Sequence, residues 1–418
     1  MLDIKLVRTD PNKIRKNLEK RAGNFPIDEL IAVDKSWRTK LQELEKLRAI
    51  QNKVSLEIAK NKDATKIKEM KKISDDIKKL EEEIKNLKEK ENKLFHSIPN
   101  LLHESVPEGT TEADNVEIRK WGEIPMFDFQ PKDHIDIGMG LGMIDVERAA
   151  KISGARFYFL RGDLVRLDYS IMLVALEHLS SRGYTMIEPP YLINRKAYDG
   201  VVNLDAFEEM IYKIEDEDLY MIATSEHPMV AMHINECFKK TDLPIKYAGI
   251  STCFRKEAGS HGKDTKGIFR VHQFNKVEQL VFSTQEDSWN LHEEMIKNAE
   301  DLMQKLDLPG RVVVLCGKET GSVSAKTYDF ELWFPAQGKY REAGSCSNCT
   351  DYQARRLNIK YSDGDERKFC HVLNSTAVAT SRVLSAILEN FQQKDGTVKI
   401  PKILQQYMGG KKILEPLE

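Results

Sequence analysis

The chain has 418 residues, 41% of them hydrophobic and 31% charged, with a formal net charge of −2. That length supports two or three domains and one large core, and the charge balance selects no particular partner. Six cysteines in a chain this long make no disulfide scaffold, and no apolar run approaches the ~18 residues of a membrane span.

The opening, MLDIKLVRTDPNKIRKNLEK, lacks the apolar core of a signal peptide. It mixes Asp and Glu with its basic residues, unlike an organelle transit peptide, so a reducing cytoplasm is the expected location. From Ile27 to Ile98 there is no Gly and no Pro. Within that run Met70, Ile73, Ile77, Leu80, Ile84, Leu87 and Leu94 form a heptad seam, with Glu91 at a skipped position. Trp37, Leu41, Leu44, Leu47, Val54 and Ile58 form a looser stripe before it, and the polar turn KNKDAT lies between. The spacing predicts an antiparallel helical hairpin over about 28–97. Each helix of about 30 residues would reach roughly 45 Å at 1.5 Å per residue. Residues 36–94 carry 17 Lys and Arg against 12 Asp and Glu, a local +5, which leaves −7 for the remainder. That lean suits an anionic partner, and a dimerisation rod or solvated spacer stays open beside it.

Residues 97–115, SIPNLLHESVPEGTTEADN, have two prolines and no periodicity and read as a linker. The expected domains are therefore 1–108 and 109–418. After the linker the pattern is mixed. LVRLDYSIMLVALEHLSSRG is an amphipathic helix ending at Gly183. YTMIEPPYL is a strand stopped by Pro189 and Pro190. YAGISTCFR, IFRVHQFNKVEQLVFS and RVVVLCG read as strands, and TSRVLSAILENFQQ as a core-facing helix. Neighbouring strands joined by loops favour an α+β fold, an antiparallel sheet with flanking helices, over a doubly wound sheet.

Several chemistries are absent. There is no P-loop, no dinucleotide fingerprint in GMGLG, and no H-E-x-x-H or G-x-S-x-G. Cys346 and Cys349 in CSNC have zinc-ligand spacing, followed later by Cys370 and His371. A closed zinc site needs two well-placed pairs, and adjacent Cys and His rarely both point at one ion, so buried or incidental thiols are expected. The most informative stretch is FRKEAGSHGKDTKGIFRVHQF, Phe254 to Phe274. Arg255 and Arg270 flank a loop of small and charged residues. On paired strands, two guanidiniums would clamp phosphate oxygens while Lys and Gly of the loop fold over them. A hairpin with ordinary surface salt bridges is the alternative. ATSEHP places a carboxylate among small hydroxyl residues, and REAGSCSNCTDYQARR sets Glu342 three residues before Ser345, a spacing suited to a shared hard metal ion. LNSTAVATSR ends in Arg382 at a helix start.

With these residues in view, the chain resembles the seryl-tRNA synthetases, class II aminoacyl-tRNA synthetases, along essentially its whole length. The three class II motifs fall in order: the helix and strand ending at Pro190, the stretch beginning FRKE, and ATSRVLSAILENFQ. GSHGKDTKGIFRVHQFNKVEQ and SCSNCTDYQARR match the archaeal and eukaryotic cytosolic type. The resemblance implies a homodimeric class II catalytic domain preceded by a coiled-coil tRNA-binding arm. It implies activation of L-serine with ATP and Mg²⁺, followed by transfer to tRNA(Ser), with tRNA(Sec) as a further candidate acceptor.

The resemblance also implies roles. Arg255 would bridge the serine carboxylate and the α-phosphate, Glu257 would take the adenine amino group, and Arg270 the γ-phosphate. Phe274 and Arg382 would sandwich the adenine. Lys256, Val271, His272, Gln273, Ala343 and Gly344 would complete the nucleotide wall, and Glu342 and Ser345 would carry Mg²⁺. Thr224, Ser225, Glu226, Glu278, Asn374 and Thr376 would enclose serine. Cytosolic eukaryotic members carry two larger aliphatics where this chain has Ala343 and Gly344, which leaves the shape of that wall open. A class II-like ligase acting on a carrier protein, a non-catalytic coiled-coil protein and a threonine enzyme are the other readings. The basic-leaning arm, the joint presence of Arg255, Glu257, Arg270, Glu278, Glu342 and Arg382, and the lack of a convincing zinc cluster stand against them in turn.

Overall fold

The computed structural model of the protein describes residues 1–61, 63–257 and 267–417. The chain forms two compact units, Met1–Leu101 and Leu102–Glu418. Among the described residues no helix is long and apolar enough to cross a membrane.

In the first unit two short helices, α1 (Ile4–Thr9) and α2 (Pro11–Glu19), precede two long ones, α3 (Ile27–Asn61) and α4 (Ala64–Ser97). The absence of Gly and Pro lets both run uninterrupted, and Asp63 caps α4 by accepting from the Thr65 amide at 2.8 Å. Their seam buries Leu44 and Val54 against Ile73, Ile77 and Leu80, with Leu47, Ile58, Met70 and Ile84 packed around them. Antiparallel pairing is fixed across the seam by Gln51 with Ser74 at 3.1 Å and Lys40 with Glu83 at 2.5 Å. Glu91, the break in the heptad pattern, is 1% exposed and is held by Lys88 at 2.6 Å. The same ammonium lies 4.7 Å over the Trp37 ring. A second buried carboxylate, Asp34, takes Arg8 at 2.6 Å and Arg38 at 3.0 Å. Two charges thus enter a mostly apolar seam, each neutralised by a partner with a solvated head.

The second unit is built on eight strands: β1 (Val116–Trp121), β2 (Thr185–Ile187), β3 (Ile245–Phe254), β4 (Gln273–Ser283), β5 (Gly310–Val314), β6 (Lys326–Phe334), β7 (Lys339–Asn348) and β8 (His371–Ala379). Their order in the sheet is β1-β5-β6-β7-β8-β4-β3-β2. Every neighbouring pair is antiparallel except β2 with β3, which is parallel. Helices α5 (Asp163–Ser180), α8 (Ser288–Lys305) and α10 (Thr380–Asn390) join the sheet in one hydrophobic cluster with Val277, Val281, Phe330 and Leu332. Helices α6 (Arg195–Val201), α7 (Glu226–Ala231) and α9 (Tyr352–Leu357) form a second cluster with Leu280 and Phe282.

Strand β4 therefore divides by parity. Val277, Gln279 and Val281 face the first cluster, and the Gln279 amide donates to the Met295 carbonyl of α8 at 3.1 Å. On the opposite face Leu280 and Phe282 are apolar, whereas Lys276 and Glu278 are charged and buried. A period-2 strand with a charged half-face is the local sign of a site.

One expectation needs correction. The apolar pattern extends the second hairpin strand back to Ile268, but β4 begins at Gln273. Gly267 turns the chain with φ 85°, and the His272 amide is taken by the Arg156 carbonyl at 3.1 Å rather than by β3. The apolar residues there, Ile268, Phe269 and Val271, are buried in the core without strand pairing.

Candidate active site

The β3–β4 hairpin runs in register from Ile245 opposite Phe282 to Phe254 opposite Gln273. Arg255 follows the last pair. Its amide donates to the His272 carbonyl at 2.9 Å, and its Nε to the Ala223 carbonyl at 3.2 Å. Arg270 arrives from the other arm and pairs with Glu257 at 3.2 Å, while its buried Nε has no hydrogen-bond partner among the described residues. Arg382 opens α10, donates from Nε to the Phe269 carbonyl at 2.9 Å, and binds the Glu342 carbonyl through Nη1. These three guanidiniums line one cleft with Glu257, Val271, Phe274, Glu342, Ala343, Gly344 and Ser345. Like charges held this close favour an anion between them.

Other sequence candidates sit differently. Lys256 places its ammonium 5.7 Å from the Tyr212 ring, His272 packs on Phe157 at 5.0 Å and donates from Nδ1 to the Arg255 carbonyl, and Gln273 is exposed. None of the three lines the cleft. The Arg382 guanidinium lies 4.3 Å over the Phe269 ring, and that of Arg255 lies 5.3 Å from Phe274. The loop expected to fold over a phosphate chain, Ala258 to Lys266, lies outside the described residues.

Glu342 and Ser345 raise a parity problem that the backbone solves. Residues three apart in a regular strand point to opposite faces. Here the β6–β7 register slips: Glu331 opposes Glu342, Phe330 opposes Gly344, and Asp329 opposes Ser345, with Ala343 as the extra residue. That bulge brings Glu342 and Ser345 onto one face, beside Asp329 and Glu331, where all four line a second cavity that adjoins the first through Phe269, Arg270 and Arg382. Asp329 has a buried Oδ1 without a hydrogen-bond partner among the described residues. Burial pushes its carboxyl well above the usual range, and Glu342 and Glu331 push it further. The bulge also accounts for Gly344. A Cβ there would sit 2.6 Å from the Phe330 ring and 2.7 Å from the Thr376 Cβ, so this wall has no room for a larger aliphatic unless its neighbours move.

The other half of the site centres on Glu278. It lies between Gly249 of β3 and Thr376 of β8. A Cβ at Gly249 would come within 2.8 Å of Ser225 Oγ, which donates to the Gly249 carbonyl at 3.2 Å. Lys276, on the same face, pairs with Glu278 and donates to Thr224 Oγ1 at 3.3 Å. Lys276 meets Glu278 at Oε2 as a close ion pair, and among the described residues no other side chain bonds that oxygen. Burial pushes the Glu278 carboxyl up to about 7; Lys276 pulls against that and Glu226 adds to it. Glu226, from α7, accepts at Oε1 from Gln353 at 3.0 Å and from Asn374 at 3.3 Å. Two carboxylates, Glu226 and Glu278, thus balance two cations, Lys276 and Arg255. Lys276 and Thr376 also line the guanidinium cleft, so the two halves are continuous.

The thiols play a packing part. Burial raises Cys346 and Cys349, Cys346 donates to the His292 carbonyl at 3.7 Å, and Cys349 accepts from Asn374 at 3.5 Å. Sequence reasoning missed Lys276, Gln353, Asp329, Glu331 and Phe269. Charged residues two apart in otherwise apolar strands, as in NKVEQ and YDFELW, were the available signal for the two pairs. Gln353 and Phe269 offered none.

This fold and site define a class II aminoacyl-tRNA synthetase, and residues 211–391 match the tRNA synthetase class II core domain (G, H, P, S and T). Residues 1–102 match the seryl-tRNA synthetase N-terminal domain. The serine–tRNA ligase of Nitrosopumilus maritimus is 51% identical over 419 residues, covering 99% of this chain and all of that protein. The seryl-tRNA synthetase of Pyrococcus horikoshii, solved with ATP, superposes with a TM-score of 0.95 at 46% identity and full coverage of both chains. The cytoplasmic serine–tRNA ligase of Naegleria fowleri, solved with AMP, gives 0.89 at 40% identity, covering 100% of this chain and 99% of that one. The chain belongs to the seryl-tRNA synthetase family.

Proposed function

We propose that this chain activates L-serine with ATP and charges tRNA(Ser), with the residues above in specific roles. The carrying observation is the position of Arg255. It stands where a cleft rich in guanidiniums meets a pocket holding two carboxylates, Glu278 buried and Glu226 half-buried. A triphosphate fits the first and an ammonium fits the second.

In the first step a serine carboxylate oxygen attacks the α-phosphorus of ATP and pyrophosphate leaves. Arg255 binds both reacting groups and stabilises the charge that builds on the α-phosphoryl oxygens. Arg270, with its unmatched Nε, holds the γ-phosphate, and Arg382 with Phe274 holds the adenine. Glu278, Thr224, Glu226 and Thr376 take the serine ammonium and hydroxyl, and Asn374 closes the pocket. In the second step a hydroxyl of the terminal adenosine of tRNA attacks the acyl carbon and AMP leaves. Positioning and electrostatics suffice, and no protein nucleophile is required.

Mg²⁺ fits the acidic cavity. Among the described residues no three His, Cys, Asp or Glu side chains form a ready cage, but Mg²⁺ bound with a nucleotide needs only one or two carboxylates beside the phosphates. Glu342 and Ser345 would hold it, and Asp329 supplies a buried, unmatched oxygen in the same cavity. When bound, it would neutralise charge on the phosphate oxygens.

The first unit is the tRNA-binding arm in this reading, and two copies associate through the second unit. Val165, Tyr169 and Leu173 recur every fourth residue on α5 and are 37%, 58% and 46% exposed. Met186, on the edge strand β2, is 47% exposed. An apolar helix stripe beside a sheet edge suits a second copy. The reaction is assigned to the cytoplasm.

Pyrophosphate exchange tests the amino acid. Serine is expected to support it, whereas alanine leaves the polar groups of the pocket unmatched, at a cost of roughly 1–3 kcal/mol. Equal exchange with alanine or threonine would show that the pocket is misassigned.

Arg255→Ala is expected to lower the exchange rate on the order of 10²–10³-fold while the protein stays folded. Arg255→Lys should fail as well, since a point charge does not reproduce the planar fork. A near-normal rate in either variant removes Arg255 from the chemistry.

Deleting the arm, from about Asp28 to Ser97, should leave serine-dependent exchange and the dimer mass intact while charging of tRNA(Ser) falls steeply. Binding of tRNA to the full chain should weaken with salt. Normal charging by the armless chain would refute the tRNA role, and loss of dimer mass would favour a structural rod. The same charging assay with tRNA(Sec) decides whether it is an acceptor.

A further inference from the structure

We infer that Gln353 is a positioning residue for serine: it pins one oxygen of Glu226 so that the other is presented to the substrate. The inference rests on the serine assignment above. It concerns a residue that lines neither the guanidinium cleft nor the acidic cavity.

Gln353 stands in α9 and is fully buried, at 0% exposure. Its Nε2 donates to Glu226 Oε1 at 3.0 Å and to the Val201 carbonyl at 3.3 Å. Both partners are acceptors, so only the amide nitrogen can face them, and the orientation of the amide follows from the chemistry. Asn374, from β8, donates to the same Oε1 at 3.3 Å. Donors from two different elements therefore converge on one carboxylate oxygen. Among the described residues no side-chain hydrogen bond reaches Oε2.

The terminal torsion of a glutamate is broad and roughly two-fold. An unrestrained Glu226 would sweep its carboxylate through a range of planes. Two donors on one oxygen hold that plane and leave the second oxygen at a fixed place, which is what discrimination of a small substrate requires. Burial pushes the Glu226 carboxyl up, and the Gln353 bond acts against it, which favours the ionised form. Among the described residues the Oε1 of Gln353 is itself buried without a hydrogen-bond partner. A side chain present only as a brace for α6 and α9 would be replaceable by an apolar one that leaves nothing unmatched. The charge-assisted bond to Glu226 is the shorter of its two contacts, and it reaches the substrate pocket.

The test is a double-mutant cycle on the full chain, read by pyrophosphate exchange. Gln353→Met keeps the volume and removes the donor, and Gln353→Glu keeps the shape and reverses the hydrogen-bond character. Each is combined with Glu226→Gln. With Glu226 present, either variant should raise KM for serine on the order of ten- to a hundredfold, the range of a lost hydrogen bond to a charged group. KM for ATP should stay within about twofold. In the Glu226→Gln background the same changes should add less than about twofold, because the group they position is gone. A KM for serine within twofold of wild type overturns the inference, and so does an equal effect in both backgrounds. Loss of folded protein in both variants would overturn it too, by showing a brace. If the unaltered chain does not exchange with serine, the serine assignment fails instead, and the two failures are distinguishable.

Discussion

The constraint on which the rest of the site depends is the burial of Glu278 in the middle of an antiparallel sheet. A carboxylate 1% exposed is costly unless something of opposite charge accompanies it. Lys276 does so from two residues away, and its neighbours across the sheet are Gly249 and Thr376. With both carboxyls ionised, Lys276 and Arg255 offset Glu278 and Glu226 and the pocket is neutral. A zwitterionic amino acid keeps that neutrality when it enters, since its ammonium meets the carboxylates and its carboxylate meets Arg255. Arginine then couples this pocket to the cleft beside it, where Arg270 and Arg382 wait for an anion.

Backbone irregularities do as much for the site as side-chain choice. The bulge at Ala343 turns an unfavourable spacing of three into a shared face for Glu342 and Ser345. A second slip, between Thr376 and Val378, leaves Thr376 opposite Glu278 while the strand continues against Val277. Both slips lie on the strands that floor the cleft, in keeping with the tendency of bulges to re-aim residues beside active sites.

Much of this was legible in the sequence, and the parts that were not share a cause. The heptad seam from Met70 to Ile84 and the Gly- and Pro-free run gave the hairpin directly, since both are local periodic signals. Arg255, Arg270 and Arg382 stood out as guanidiniums beside small residues. Glu91 read as a break in the seam, but its burial depends on Lys88 and was invisible to spacing. Glu342 and Ser345 were paired on a spacing that a regular strand would have defeated, and only the register reveals the bulge that makes it work. Ile268, Phe269 and Val271 looked like strand because they are apolar, yet the Phe269 carbonyl takes Arg382 and the His272 amide goes to Arg156. Gln353 gained its meaning only from Glu226, a partner 127 positions away, and no local pattern encodes such a pair.

The account stands or falls on Glu278 as the buried acid that meets an ammonium. Burial pushes its carboxyl up to about 7, so near that pH the protonated form is populated. An arriving ammonium favours the ionised form and must expel that proton. Calorimetric titration of L-serine into the protein near pH 7, in two buffers of different ionisation enthalpy, measures this directly. The account predicts net proton release on binding, which declines as the pH is raised and is absent when Glu278→Gln is titrated. Serine binding whose heat is the same in both buffers would contradict it.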